Sequence, residues 1–189
     1  MSSRITGLSH SNLSKIPYPC RTCTYWIDTD KVKLILKEWG TCGFVIFEDN
    51  NPVGYTLFGP PSYFPKIAEY PAGPVSEDAI FLACMYIMPD NRGSGLGEKL
   101  LMDIEKHVLK RKYKALELFG SRSDDLIPAN PIRFYLERGF YIKKDDDRFP
   151  LLRLDVKSLV AWQENVEAAL KQLSKPLSSP YPKKAPVPL

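Results

Sequence analysis

Between an apolar run and an amphipathic helical pattern the chain reads Met88-Pro89-Asp90-Asn91-Arg92-Gly93-Ser94-Gly95-Leu96-Gly97. No other stretch restricts the fold as much. Glycines at alternate positions permit a tight turn and leave backbone N–H groups uncovered. A helix starting straight afterwards adds unsatisfied N-terminal donors and the positive end of its dipole. The product is a cradle for a phosphate or pyrophosphate, with Arg92 at its lip.

The flanking patterns set this loop in a sheet. Residues 79–88 are apolar throughout, as a central strand covered on both faces requires. Residues 94–113 place Leu96, Leu100, Ile104 and Val108 on one helical stripe, backed by Gly97 and Leu101. Residues 115–119 read as the next strand, and a helix between two such strands implies parallel pairing. Upstream, residues 21–26 read as a short strand. A helix capped by Asp28 or Thr29 carries Val32, Ile35, Leu36 and Trp39 and stops at Gly40. Residues 41–48 and 53–58 form a hairpin around Asp49-Asn50-Asn51-Pro52.

Residues 59–78 are a long connection in which Pro60, Pro61, Pro65, Pro71 and Pro74 alternate with Tyr63, Phe64, Ile67 and Tyr70. It is either a binding loop or a loop whose aromatics pin it to the body. Asn130-Pro131 starts a helix ending at Gly139, and residues 140–144 and 151–156 pair around Asp145-Asp146-Asp147. The expected organisation is an irregular N-terminal arm over 1–20 and a folded domain over 21–156. A C-terminal amphipathic helix over 157–174 (Leu159, Trp162, Val166, Ala169, Leu170, Leu173) and a proline-rich flexible tail over 175–189 follow.

Composition narrows the function. A chain of 189 residues is long enough to bury a real core, and it has no apolar run long enough to span a membrane. The polar first fourteen residues lack the apolar centre of a signal peptide, so a cytoplasmic location is expected. A formal charge of +4 suits an anionic small ligand but is too weak to argue for nucleic acid. The cluster Lys106, Lys110, Arg111, Lys112 and Lys114 reads as a solvated helix end. Cys20-Arg21-Thr22-Cys23 could be half a zinc site or a redox pair, Cys42 and Cys84 being the other thiols; plain reduced cysteines are the simplest account. The two histidines, His10 and His107, read as solvent-facing, which argues against histidine chemistry.

Among glycine loops, a P-loop needs Gly-Lys-Ser/Thr, whereas Gly97 is followed by Glu98 and Lys99. A dinucleotide fold needs G-x-G-x-x-G early in the chain, whereas the spacing here is G-x-G-x-G in mid-chain. The remaining pattern, Arg-x-x-Gly-x-Gly, is matched in full by Arg92 to Gly97. With Cys84-Met85-Tyr86-Ile87-Met88-Pro89 before it and Ile132-Arg133-Phe134-Tyr135-Leu136-Glu137-Arg138-Gly139-Phe140 after it, the sequence resembles the GNAT superfamily of acyl-CoA-dependent N-acetyltransferases. The resemblance is sharp over 79–141 and looser over 41–156.

The resemblance implies an α/β (α+β) fold: a mixed, splayed β-sheet with helices on both faces, here with an added C-terminal helix. It implies acetyl-CoA as co-substrate, with no metal in the site. The pyrophosphate would rest on Arg92 and on the N–H groups of Gly93, Ser94, Gly95, Leu96 and Gly97. The pantetheine arm would pair as an added strand with the edge of Met85, Tyr86 and Ile87, where family members carry a bulge and a splay. A backbone N–H near Ile87 would polarise the thioester oxygen. Tyr135, protonated at neutral pH, would donate to the departing sulfur.

Glu117, in mid-strand, is the expected general base, with Glu77 and Asp78 as rivals acting through water. The family often has an asparagine seven residues before the tyrosine. Pro128 stands there, and Asn130 reads first as a helix cap and second as a coenzyme contact. A covalent route through Cys84 lacks a histidine partner. The acceptor would be a small-molecule or peptide amine, unreadable because one helix stands where many members have two. A homodimer is compatible with this reading; nucleic acid and membrane are not expected partners. The rival readings are a coenzyme-binding protein without catalysis and a transferase of longer acyl chains.

Overall fold

The apolar run becomes the strand around which the rest is arranged. In the computed structural model, which describes residues 3–123 and 130–156, it forms β4 (Ala79–Ile87) in the middle of a seven-stranded sheet. The others are β1 (Ser3–Gly7), β2 (Gly43–Glu48), β3 (Asn51–Gly59), β5 (Ala115–Phe119), β6 (Tyr141–Lys144) and β7 (Leu151–Asp155), in the spatial order β1-β2-β3-β4-β5-β7-β6. Among the strands of the described residues, β4 and β5 alone pair in parallel, across the helix α2 (Leu96–Lys110).

Alternation along the strands sends side chains to two cores. On one face Ile46 and Val53 pack with Leu96 and Leu100 of α2. On the other, Val45, Phe47, Tyr55 and Phe81 pack with Val32 and Ile35 of α1 (Thr29–Glu38). The α1 start is the expected cap: Asp28 Oδ1 accepts from the Lys31 N–H at 2.8 Å. Helices therefore cover both faces of a mixed sheet.

Two irregularities of β4 matter for function. Leu57 of β3 lies opposite Cys84, but the next residue, Phe58, lies opposite Leu82, so Ala83 is an extra residue in β4. Such a bulge bends the strand and tightens its twist. Beyond it β4 parts from β5: the two pair only where Ala79, Ile80 and Phe81 face Ala115, Leu116 and Glu117. The Met88 N–H donates to Val53 O at 2.8 Å. By the alternation of an antiparallel ladder, Tyr86 then bonds back to Tyr55. The backbone groups of Met85 and Ile87 consequently point into the gap.

Several expectations need correction. Residues 1–20 are not irregular throughout, because Ser3–Gly7 pairs antiparallel with β2 as the sheet edge. That strand is too short and polar to show an apolar alternation. Residues 21–26 form no strand: Cys20–Thr22 is a 3-10 turn. The chain there crosses the sheet face, burying Trp26 against Tyr70 and Phe81 instead of joining a ladder. Of the two readings of the 59–78 connection, the pinned loop is the one seen: Phe64 and Tyr70, with the aliphatic Ile67, are buried. The helix α2 ends earlier than read, at Lys110, and Lys112 turns left-handed with φ 61°. His107 is not on the wet side of α2, since its ring packs on Trp39, Phe44 and Phe58. The expected C-terminal helix and tail lie outside the described residues. Among the described residues no helix is long and apolar enough to cross a membrane.

Candidate active site

The gap beside β4 opens into a cleft of about 710 Å³. One wall is Met85, Tyr86 and Ile87; the floor is Arg92, Gly93, Gly95, Leu96 and Gly97; the far wall is Pro131, Phe134, Tyr135 and Arg138. The loop has the backbone its glycines allow. Gly93 (φ 76°) and Gly95 (φ 79°) are left-handed, and a Cβ at either would meet nothing within 4 Å, so both stand at open space. Among the described residues, none of the N–H groups from Gly93 to Glu98 has a hydrogen-bond acceptor; the first intrahelical bond is Lys99 N–H to Gly95 O. Side-chain bonds hold the turn in place. Asn91 Nδ2 donates to Glu48 Oε2 (2.9 Å), and Ser94 Oγ donates back to Asn91 O (2.6 Å). Ser94 thus offers its N–H rather than its hydroxyl. Arg92 Nε donates to Ile87 O at 3.0 Å, which keeps an exposed guanidinium at the lip.

The donor inventory suits an anionic, extended ligand. Bare amides at a helix start attract phosphate. Ser121 Oγ and Arg138 Nε line the same cleft, and both are buried without a partner among the described residues. Both groups can donate to an incoming acceptor. Arg138, with its guanidinium 3.9 Å from the Phe134 ring centre, is a second cation that sequence reasoning did not single out. Its signal was its position three residues after Tyr135 on α3 (Ile132–Leu136) and the turn that follows it.

Tyr135 is 1% exposed, and burial raises its pKa above the ordinary phenol value, so it is a proton donor at neutral pH. Its hydroxyl donates to Asn130 Oδ1 at 3.3 Å, and Asn130 Nδ2 donates to Phe119 O at 3.4 Å. Asn130 is therefore not the cap of α3: Pro131 takes that place, and the Asn130 side chain turns inward. The backbone explains the choice, because Ser121 N–H bonds Asn130 O (2.7 Å) and fixes the residue beside β5.

Asn130 does not line the cleft. It lines a second cavity of about 190 Å³ on the opposite side of β4, built from the 13–32 segment and from Tyr55, Leu57, Cys84, Met85 and Tyr86. Met85 and Tyr86 belong to both cavities. The Tyr135–Asn130 hydrogen bond thus spans the place where the two spaces adjoin. Cys84 is half-buried there, and burial holds its thiol well above the ordinary range, so it is not a nucleophilic thiolate.

Glu117 corrects an expectation. It is fully buried but lines neither cavity. Ser76 N–H and Ser76 Oγ each donate to it at 2.8 Å, Lys143 Nζ at 2.8 Å and Arg153 Nη1 at 2.7 Å. Burial alone would raise its pKa, but these four donors outweigh it and hold the carboxyl below its usual range. Four donors leave this carboxylate weakly basic and tie it into an ion-pair cluster apart from both cavities. Its rival Asp78 is held below its usual range by Arg153 in the same cluster. Glu77 lines a separate hollow beside Lys143 and Lys144.

Known proteins share this fold. The chain is 29% identical over 117 residues to an amino-acid acetyltransferase of Ralstonia nicotianae, covering 62% of this chain and 22% of that protein. It therefore spans about a fifth of that relative's length. Its fold matches the PaiA N-acetyltransferase of Thermoplasma acidophilum, solved in complex with coenzyme A, with TM-score 0.56 and 16% identity over 82% of this chain and 99% of that one. It also matches the ribosomal-protein-S18-alanine N-acetyltransferase of Escherichia coli, with TM-score 0.54 and 17% identity over 82% and 94% of the two chains. The sequence profile described as the acetyltransferase (GNAT) family matches residues 9–140, most of this chain, and the chain belongs to that family.

Proposed function

We propose that this protein is an acetyl-CoA-dependent N-acetyltransferase that works by direct attack of an amine within a ternary complex. The observation that carries the reading is the junction of two cavities across the Tyr135–Asn130 hydrogen bond, beside a strand edge that parts from β5. The bare amides of residues 93–98, Arg92 and Arg138 would hold the pyrophosphate and the remaining phosphate. The β4 edge around Met85 would pair with the pantetheine amides, Ile87 O being already bonded to Arg92 Nε. The coenzyme supplies an activated thioester.

Each remaining step falls to a group of this chain or to solvent. A backbone N–H of the β4 edge near Ile87 would donate to the thioester oxygen as it gains charge. The amine lone pair forms the C–N bond, the C–S bond breaks, and the sulfur takes the proton of the Tyr135 hydroxyl. The nitrogen loses its surplus proton to water, and Tyr135 is reprotonated from solvent. Holding both reactants side by side supplies much of the rate.

Free thiol release from acetyl-CoA, measured against a panel of amines, tests the reading. Amine-dependent release supports it. Tight coenzyme A binding with no release over the whole panel would instead make this a coenzyme-binding protein. Release only from succinyl- or butyryl-CoA would make it a transferase of longer acyl groups.

A further inference from the structure

Resting on the transferase reading, we propose that the acceptor is a small primary amine whose body is hydrophobic and about the size of one aromatic ring, seated in the cavity behind β4. Position comes first. That cavity shares Met85 and Tyr86 with the coenzyme cleft, and Asn130, its wall at the junction, holds the Tyr135 hydroxyl. An amine nitrogen at this end would lie beside the reacting thioester, with its body extending toward the 13–32 segment.

Size and chemistry follow. A cavity of roughly 150 Å³ with aliphatic and aromatic walls accepts benzene. The 190 Å³ available here holds one ring with a short chain, and a long polyamine or a peptide would have to leave most of its length outside the mouth. The inner wall is Ile16, Trp26, Ile27, Val32, Tyr55 and Leu57, each 9% exposed or less. Among the described residues its charged lining groups are Arg21 and Asp28, both exposed at the mouth. Both are already engaged in the fold, since Arg21 Nη1 donates to Ser14 O (3.2 Å) and Asp28 caps α1. A second ammonium or a side-chain carboxylate on the acceptor would be stripped of water with no charged partner on the inner wall, at a cost of several kcal/mol; the Trp26 Nε1–H, unpartnered among the described residues, is a single neutral donor there.

The same walls bear on the missing base. Attack requires the neutral amine, and desolvation lowers the pKa of a buried ammonium. An apolar chamber therefore favours the reactive form of its occupant without a buried carboxylate. This fits a site whose sequence-expected base, Glu117, is engaged elsewhere. The charge balance stays as above: one C–N bond forms, one C–S bond breaks, Tyr135 protonates the sulfur and water takes the amine proton.

The test compares phenethylamine and isoamylamine with spermidine and glutamate, using the full chain. Calorimetry on protein saturated with coenzyme A reads binding, and thiol release from acetyl-CoA reads turnover. We expect the two apolar amines to bind saturably and to exceed the polar pair in kcat/KM by at least about tenfold. Cys23→Trp, at the exposed rim of the cavity, should raise KM for phenethylamine at least about tenfold by occluding the mouth, with coenzyme A affinity unchanged; Thr29→Trp is the second rim variant. Turnover of spermidine or glutamate at least as efficient as that of phenethylamine would overturn the acceptor assignment and leave the transferase reading intact. So would a KM unmoved by both rim variants. Saturable binding of the apolar amines with no thiol release would overturn the transferase reading itself.

Discussion

Replacing Glu117 by glutamine separates a structural ion from a catalytic base. The carboxylate is fully buried and accepts four hydrogen bonds of 2.7–2.8 Å, two from Ser76 and one each from Lys143 and Arg153. A hydrogen bond to a charged group contributes about 1.5–3 kcal/mol, and removing one partner of a buried pair costs about 3–5 kcal/mol. The lower end applies here. Arg153 keeps Asp78 (3.1 Å) and Asp155 (2.7 Å), and Lys143, 34% exposed, can turn to water. Glutamine retains one acceptor oxygen but presents an amide N–H₂ to groups that are themselves donors.

The expected loss is therefore about 3 kcal/mol, or roughly 6–12 °C in Tm for a domain of this size. Urea unfolding followed by circular dichroism reads it. Calorimetry with coenzyme A should show unchanged affinity, and kcat per folded molecule should stay within about threefold of the parent. The sign with pH is fixed too. The carboxyl pKa is lowered in the fold, so its contribution is complete above the unfolded value and disappears as pH falls through the folded one. An unchanged urea midpoint together with a kcat reduced by about a hundredfold or more would refute this reasoning and restore Glu117 as the base.

Gly95→Asp should abolish coenzyme A binding in calorimetry, because a carboxylate would enter the open space where the left-handed glycine now stands. Tyr135→Phe should keep coenzyme affinity near normal while thiol release falls by about 10²–10⁴-fold, the range for losing one proton-transfer group. His107, whose pKa burial lowers to about 4, stays neutral in the fold while the unfolded chain protonates near 6.5, so it subtracts stability as pH falls from 6.5 to 4. Glu105, raised to about 7 by burial, acts oppositely by gaining its proton first in the fold. Glu105→Gln should consequently steepen the loss of urea midpoint between pH 6.5 and pH 4.5.

The elements legible in the sequence are those whose signal is local. The left-handed turn at Gly93 and Gly95 needs glycine wherever the chain runs, and the stripe of Leu96, Leu100, Ile104 and Val108 follows from helical period alone. The β4 apolar run, the α1 cap at Asp28 and the hairpin of β2 and β3 are of the same kind. The misreadings share the opposite property. Ser3–Gly7 is a strand because β2 offers it an edge, and Trp26 is buried because Tyr70 and Phe81 meet it from 44 and 55 positions away. Asn130 looked like a cap from its neighbour Pro131, but Ser121 and Tyr135 decide where its backbone and side chain go.

Glu117 shows why the chemistry was harder to read than the fold. A lone carboxylate in an apolar strand announces that it has a partner, but not which one. The partners here are Arg153 on β7, directly opposite in the ladder, Lys143 on β6, and Ser76 in the long connection, all brought together only by the strand order β5-β7-β6. The phosphate cradle proposed for the coenzyme is legible in one contiguous stretch because it is made of backbone. The cavity proposed for the acceptor draws on side chains from the 13–32 segment, β3, β4 and Asn130, which no periodicity connects. A family that keeps the first while redrawing the second can change its amine without disturbing its coenzyme, and β4, with Met85 and Tyr86 facing both cavities, is the shared wall that lets the two vary apart.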